Sequence, residues 1–129
     1  MGNFDIRKFK EIPSNIHIYT RVPQIEVLKI ADVFVTHGGM NSVSEALVYG
    51  VPMVVIPFAS DQFVNAECVE KLGVGKKIDD MHALKSLVSS VMMDKGMKES
   101  MNRVQDMIHD ALGNSGGAKL IIEYIKKAF

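Results

Sequence analysis

Tryptophan is absent from this 129-residue chain, and cysteine occurs once, at Cys68. A lone thiol excludes an intrachain disulfide, so burial and hydrogen bonding must hold the fold, and a reducing, cytoplasmic setting is expected. An excess of charge is also missing: 15 Lys plus Arg balance 15 Asp plus Glu. That balance leaves no electrostatic footprint for nucleic acid or an anionic membrane. No apolar run nears the roughly 20 residues that span a bilayer, so no transmembrane segment is expected. The polar, mixed-charge start Met1–Lys10 does not read as a secretory signal. His17, His37, His82 and His109 are scattered without metal-ligand spacing, so no metal or other cofactor is expected. The length suits one domain, burying roughly 65–70% of its unfolded surface.

What is present is a repeated strand–helix pattern. Asn15–Tyr19 alternates, with Ile16 and Ile18 on one face, and predicts a strand stopped by Pro23. Ile25, Leu28 and Ala31 at helical spacing predict a short helix over Pro23–Ile30. Val33–Thr36 lacks alternation, as in a strand buried on both faces. A helix over Asn41–Tyr49 is closed by Gly50, and Met53–Ile56 is a second buried strand. Asp61 is the expected cap of a helix over Gln62–Leu72, ended by Gly73. Val74–Ile78 reads as a lysine-bearing edge strand. Asp79 or Asp80 caps a helix over His82–Met93, and Met97, Met101, Val104, Ile108 and Ala111 form a further helical stripe. Met92, Met93, Met97, Met101 and Met107 are expected to fill core, and Cys68 to be a buried, inert thiol. Asn114-Ser115-Gly116-Gly117 breaks the pattern before a final helix, Ala118–Phe129. Such an order predicts an α/β fold, a Rossmann-like parallel sheet flanked by helices.

The chemistry concentrates in Val33–Phe58. A strand runs into His37-Gly38-Gly39, and a helix starts at Met40-Asn41-Ser42. Two glycines let backbone N–H groups approach an anion, and the helix start points free N–H groups at the same place. His37, Asn41 and Ser42 add side-chain donors, which together suit a diphosphate. Glu45 lies one turn further on the same face. A carboxylate beside a diphosphate makes sense if it accepts from the two hydroxyls of a ribose. The G-x-G-x-x-G pattern of dinucleotide domains is absent, which disfavours NAD. Asp61-Gln62 follows the second strand, where open α/β sheets bind ligands, and suits sugar hydroxyls. Pro23-Gln24 can reach a base. Taken singly, each residue has a plainer role. His37 can be a satisfied structural histidine, Asn41, Ser42 and Asp61 helix caps, and Glu45 and Arg21 solvated surface charges. Asn65 is expected to be structural or peripheral.

Arg21-Val22-Pro23-Gln24, His37-Gly38-Gly39-Met40-Asn41-Ser42, Glu45, Gly50-Val51-Pro52 and Asp61-Gln62 with Asn65 resemble, in order, the donor-binding motif of the UDP-glycosyltransferases. The likeness covers about Val22–Lys76 and is greatest to the bacterial macrolide-type enzymes. It implies the C-terminal, donor-binding domain of a GT-B fold, with residues 1–129 as one domain and the N-terminal acceptor domain absent. Arg21, Val22 and Gln24 would then contact the base, Gln24 through main-chain groups. Many relatives have Trp where Arg21 stands, and a guanidinium plane also stacks. His37, Gly38, Gly39, Asn41 and Ser42 would hold the diphosphate, Glu45 the ribose, and Asp61 and Gln62 the transferred sugar. The implied reaction is metal-independent, inverting transfer of a hexose, with UDP-glucose the expected donor, to a hydroxyl of a macrolide or other small natural product. The family's general base belongs to the N-terminal domain, so this chain is expected to be inactive alone. The alternative is a stand-alone donor-binding subunit working with a separate acceptor-domain partner, docked through Leu120–Phe129.

Overall fold

The computed structural model describes residues 11–112. Three parallel strands, β1 (Phe34–Thr36), β2 (Met53–Val55) and β3 (Gly75–Lys77), lie in the order β1-β2-β3. Helix α1 (Gln24–Leu28) precedes β1, α2 (Met40–Tyr49) links β1 to β2, and α3 (Ser60–Leu72) links β2 to β3. A 3₁₀ turn at Met81–Ala83, α4 (Leu84–Met93) and α5 (Lys95–Leu112) follow. This is the α/β arrangement the strand–helix order predicts.

β2 is the axis of the core. Its three residues are fully buried, and alternation sends them to opposite faces. Met53 and Val55 pack with Val43, Ala46 and Leu47 of α2, Ala66 and Val69 of α3, and Met101, Val104 and Ile108 of α5. Val54 joins a smaller cluster on the other face with Ile78, Val91 of α4 and Met97. Each buried Leu, Val or Met contributes roughly 1.5–3 kcal/mol over an exposed one. Gly50 and Gly73 end α2 and α3, as the sequence suggested, and both take the left-handed conformation.

Several expectations are corrected. Asn15–Tyr19 is not a strand. A turn closes from the Ile16 N–H to the Pro13 carbonyl at 2.9 Å, and no described strand lies alongside to complete a ladder. Alternation without a partner does not make sheet. β1 is not buried on both faces: it pairs only with β2, and Val35 is 41% exposed. Asp61 does not cap α3. The helix starts earlier, with Ala59 at the N-cap, and the Gln62 side chain closes it. Asp80 accepts from the His82 N–H, but what it starts is the 3₁₀ turn ahead of α4. Met97 and Met101 are buried, whereas Met92, Met93 and Met107 are exposed, because they fall off the inward stripes of α4 and α5. The start of α5 is capped by Asp94, whose carboxylate accepts from the Met97 N–H at 2.9 Å. The suggested final helix and its docking role, Ala118–Phe129, lie outside the described residues.

Candidate functional site

The parallel register sets Thr36 beside Val55, and the Ile56 N–H donates to the Thr36 carbonyl at 2.8 Å. The two loops that leave β1 and β2 therefore emerge together, beyond the C-terminal ends of the strands. This is where α/β sheets of this kind place their ligands.

The loop after β1 is shaped by two close contacts. Gly38 has φ +91°, and a Cβ there would lie 2.7 Å from Val55 Cγ1. Its N–H donates to Thr36 Oγ1 at 3.2 Å, and its carbonyl accepts from Asn65 Nδ2 at 2.8 Å. Thr36 and Asn65 are both buried, so the loop is braced from below and from α3. Gly39 is the N-cap of α2 and has no side chain to cap with. No side chain accepts from the first N–H groups of α2, and no acidic residue stands in its first turn. The positive end of the helix thus faces the loop uncompensated. The exposed His37 and Asn41 flank it.

One turn along, α1 meets α2. The Gln24 amide Nε2 donates to Glu45 Oε2 at 2.6 Å and to Ser42 Oγ at 3.3 Å. The site residues Gln24, Ser42 and Glu45 are brought into one hydrogen-bonded cluster, half-buried, beside the open helix end. Pro23 fixes the entry to α1 at φ −72°, and the buried Leu28 anchors its other end.

The α3 start is built differently. Gln62 Oε1 accepts from the Phe58 and Ala59 N–H groups at 2.8 and 3.1 Å. Its amide oxygen is therefore committed to the backbone, and its NH₂ remains available. The exposed Asp61 stands beside it in the first turn. Gln62 is near the first loop, since its carbonyl oxygen would lie 3.4 Å from a Cβ on Gly38. Arg21 and Val22 are exposed just ahead of α1 and are not drawn into the Gln24 cluster by a hydrogen bond. Sequence reasoning missed the Thr36 brace; it expected Asn65 to be structural or peripheral, and the structure makes it structural, but its partner was not foreseen. A hydroxyl two residues before a glycine turn was a usable signal for Thr36. Nothing local gives the partner of Asn65, which lies 27 residues away. Among the described residues no group of three or more His, Cys, Asp or Glu side chains is gathered as a metal centre would need, and no helix is long and apolar enough to cross a membrane.

Comparisons with known proteins bear on the family and the fold. The uncharacterised UDP-glucosyltransferase YojK of Bacillus subtilis is 40% identical over 124 residues, covering 93% of this chain and 31% of that protein. The oleandomycin glycosyltransferase of Streptomyces antibioticus is 33% identical, covering 86% of this chain and 27% of its own length. Among solved structures, the glycotransferase of kitacinnamycin superposes with a TM-score of 0.79 at 36% identity, over 96% of this chain and 32% of that one. The UDP-glucose: anthocyanidin 3-O-glucosyltransferase, solved in complex with UDP, gives a TM-score of 0.67 at 28% identity, over 83% of this chain and 27% of that one. The chain spans about a third of the length of the relatives it matches. The sequence model for UDP-glucoronosyl and UDP-glucosyl transferase matches residues 2–125, and the chain belongs to that family.

Proposed function

We propose that this chain is the donor-nucleotide-binding domain of an inverting glycosyltransferase of GT-B fold, which takes a UDP-hexose, UDP-glucose first among them, and needs no metal. The observation that carries the proposal is the uncapped start of α2, facing a loop of two glycines and a histidine, with the Glu45 carboxylate held by Gln24 one turn on. In this reading the N–H groups of α2, the His37 ring, Asn41 and Ser42 hold the diphosphate. They also stabilise the charge that develops on it as the glycosidic bond breaks. Glu45 accepts from the ribose hydroxyls. Asp61 and the free NH₂ of Gln62 meet the sugar. Arg21, Val22 and the main chain at Gln24 border the base. The acceptor hydroxyl, on a macrolide or similar natural product, and the base that deprotonates it belong to a domain outside the matched third. The chain alone is therefore expected to bind donor in the cytoplasm and transfer nothing.

Calorimetric titration with UDP is the direct test. Binding is expected, with His37→Ala and Glu45→Ala each weakening it by about tenfold or more, the worth of one charge-assisted hydrogen bond. A folded chain giving no heat at millimolar UDP, or binding that ignores both substitutions, overturns the proposal.

A further inference from the structure

The peptide between Gly38 and Gly39 has a glycine on both sides, so no Cβ opposes its rotation. No peptide bond among the described residues is cis, and a trans peptide points its C=O and its N–H in opposite directions. Where the Gly38 carbonyl goes therefore decides where the Gly39 N–H goes. Asn65 makes that choice. A carbonyl only accepts hydrogen bonds, so the Asn65 group that meets it at 2.8 Å is the NH₂. Asn65 is 6% exposed and Gly38 is buried, so the carbonyl is drawn into the interior. The Gly39 N–H of the same peptide is turned outward, at a half-buried position with the His37 ring alongside. The peptide before it is fixed the other way: the Gly38 N–H points inward to Thr36 Oγ1 at 3.2 Å and is not offered to a ligand. The two glycines are thus not equivalent. One N–H is held inside the protein and the other is shown. The Gly39 carbonyl accepts from the Val43 N–H at 3.0 Å and opens the α2 ladder, so the Gly39 N–H stands just ahead of the free N–H groups of the first turn.

We propose that Asn65 is a positioning residue that locks the Gly38–Gly39 peptide with its N–H outward, so that an anion in the loop meets a backbone donor instead of a carbonyl. The inference rests on the donor-site reading above and adds to it a residue buried beneath the turn. A flipped peptide would replace an N–H by a C=O, which turns attraction for a phosphate oxygen into repulsion. Without the Asn65 NH₂, the inward carbonyl would be a buried acceptor with no partner, and turning it out to water relieves that cost. An ionised Asp at this position would go further and repel the carbonyl, since it has no hydrogen to give. The brace comes from α3, whose own start Gln62 closes, so the helix after β2 sets the orientation of a peptide in the turn after β1.

The test is an NMR titration, read at the backbone amides, of the isotope-labelled 129-residue chain and of its Asn65→Leu and Asn65→Asp variants. The probes are UDP and uridine, which lacks the phosphates. Both substitutions keep the side chain near its size and remove the NH₂ donor. In the unaltered chain the Gly39 amide proton is expected to move downfield with UDP and to stay in place with uridine, while the Gly38 amide moves far less. In both variants the Gly39 shift should vanish. UDP affinity should fall by about tenfold to a hundredfold, the range for one hydrogen bond to a charged group, with uridine affinity changed by less than about twofold. Equal losses for UDP and uridine would mark Asn65 as a structural prop and overturn the inference. So would a Gly39 shift that survives in either folded variant. If both substitutions unfold the chain, the unaltered protein decides: UDP binding that leaves the Gly39 amide unmoved overturns this inference and not the donor-site reading. A folded chain that binds neither UDP nor uridine overturns the donor-site reading and this inference with it.

Discussion

Replacing Gly38 by alanine should destabilise the domain strongly, whereas the same change one residue later should not. At φ +91° an L-residue is strained by about 1–2 kcal/mol. The added Cβ would also stand 2.7 Å from Val55 Cγ1, where carbon pairs prefer about 3.5–4.0 Å. Val55 is fully buried in the central strand and has no room to retreat. Overpacking of this kind costs about 1–3 kcal/mol. The two terms together reach ~2–5 kcal/mol, a large share of the ~5–15 kcal/mol that holds a typical domain. Gly39 has φ −61° and ψ 144°, open to any residue, and a Cβ there meets only the exposed His37 ring, at 3.2 Å from Cε1. Gly39→Ala should stay within about 0.5 kcal/mol of the parent and weaken UDP binding severalfold by displacing His37. Urea denaturation followed by circular dichroism measures the first effect. With m near 1–3 kcal/mol/M, the Gly38→Ala midpoint should fall by about 1–2 M. Equal midpoints for Gly38→Ala and the parent, or a larger loss in Gly39→Ala, would refute the steric argument.

Gln62→Ala frees the Phe58 and Ala59 N–H groups and should lower stability by about 1 kcal/mol, seen as a lower thermal midpoint; an unchanged midpoint would show that water replaces the cap at no cost. Burial pushes the Cys68 thiol up, outweighing the opposing pull of Lys71, with a smaller push from Glu67. The folded chain therefore keeps this proton longer than the unfolded chain does. Its contribution to stability is complete below the unfolded thiol value, about 8.5, and is lost as pH rises through the higher folded value. Relative to Cys68→Ala, the parent should lose stability above about pH 8.5, and a pH-independent difference would contradict the assignment.

What the sequence made legible follows from how local each signal is. The burial of Met53–Val55 on both faces, the glycine ends of α2 and α3, and the inward stripe of α5 at Met97, Met101, Val104 and Ile108 are written in neighbouring residues, and the structure bears them out; the Ala111 side chain lies outside what is described. The glycine turn ahead of α2 was also visible, because a glycine pair at a helix start is a local pattern. Asn15–Tyr19 misled because strand character depends on a neighbour that alternation cannot supply. Asp61 misled because capping residue types are interchangeable on paper, while Gln62 reaches the same N–H groups from within the helix. Val35 was expected in the core because Val33–Thr36 lacks alternation, but its exposure depends on β1 lying at the edge of the described sheet. The Gln24–Glu45 tether and the Asn65 brace cross 21 and 27 residues, and no spacing rule reaches that far.

The Asn65 brace also limits how the proposed binding element can be transplanted. The strand–glycine–helix segment carries most of the donors, yet the carbonyl of its turn is satisfied by a side chain from the second crossover helix. Moved alone onto another sheet, residues 33–45 would bring their chemistry and leave behind the group that fixes its shape. The smallest portable unit runs from Pro23, which starts the helix that restrains Glu45, to Asn65, and it includes β2 as the wall against which Gly38 is pressed. An engineer grafting a nucleotide site, or a recombination event moving one, must carry two crossovers and not one.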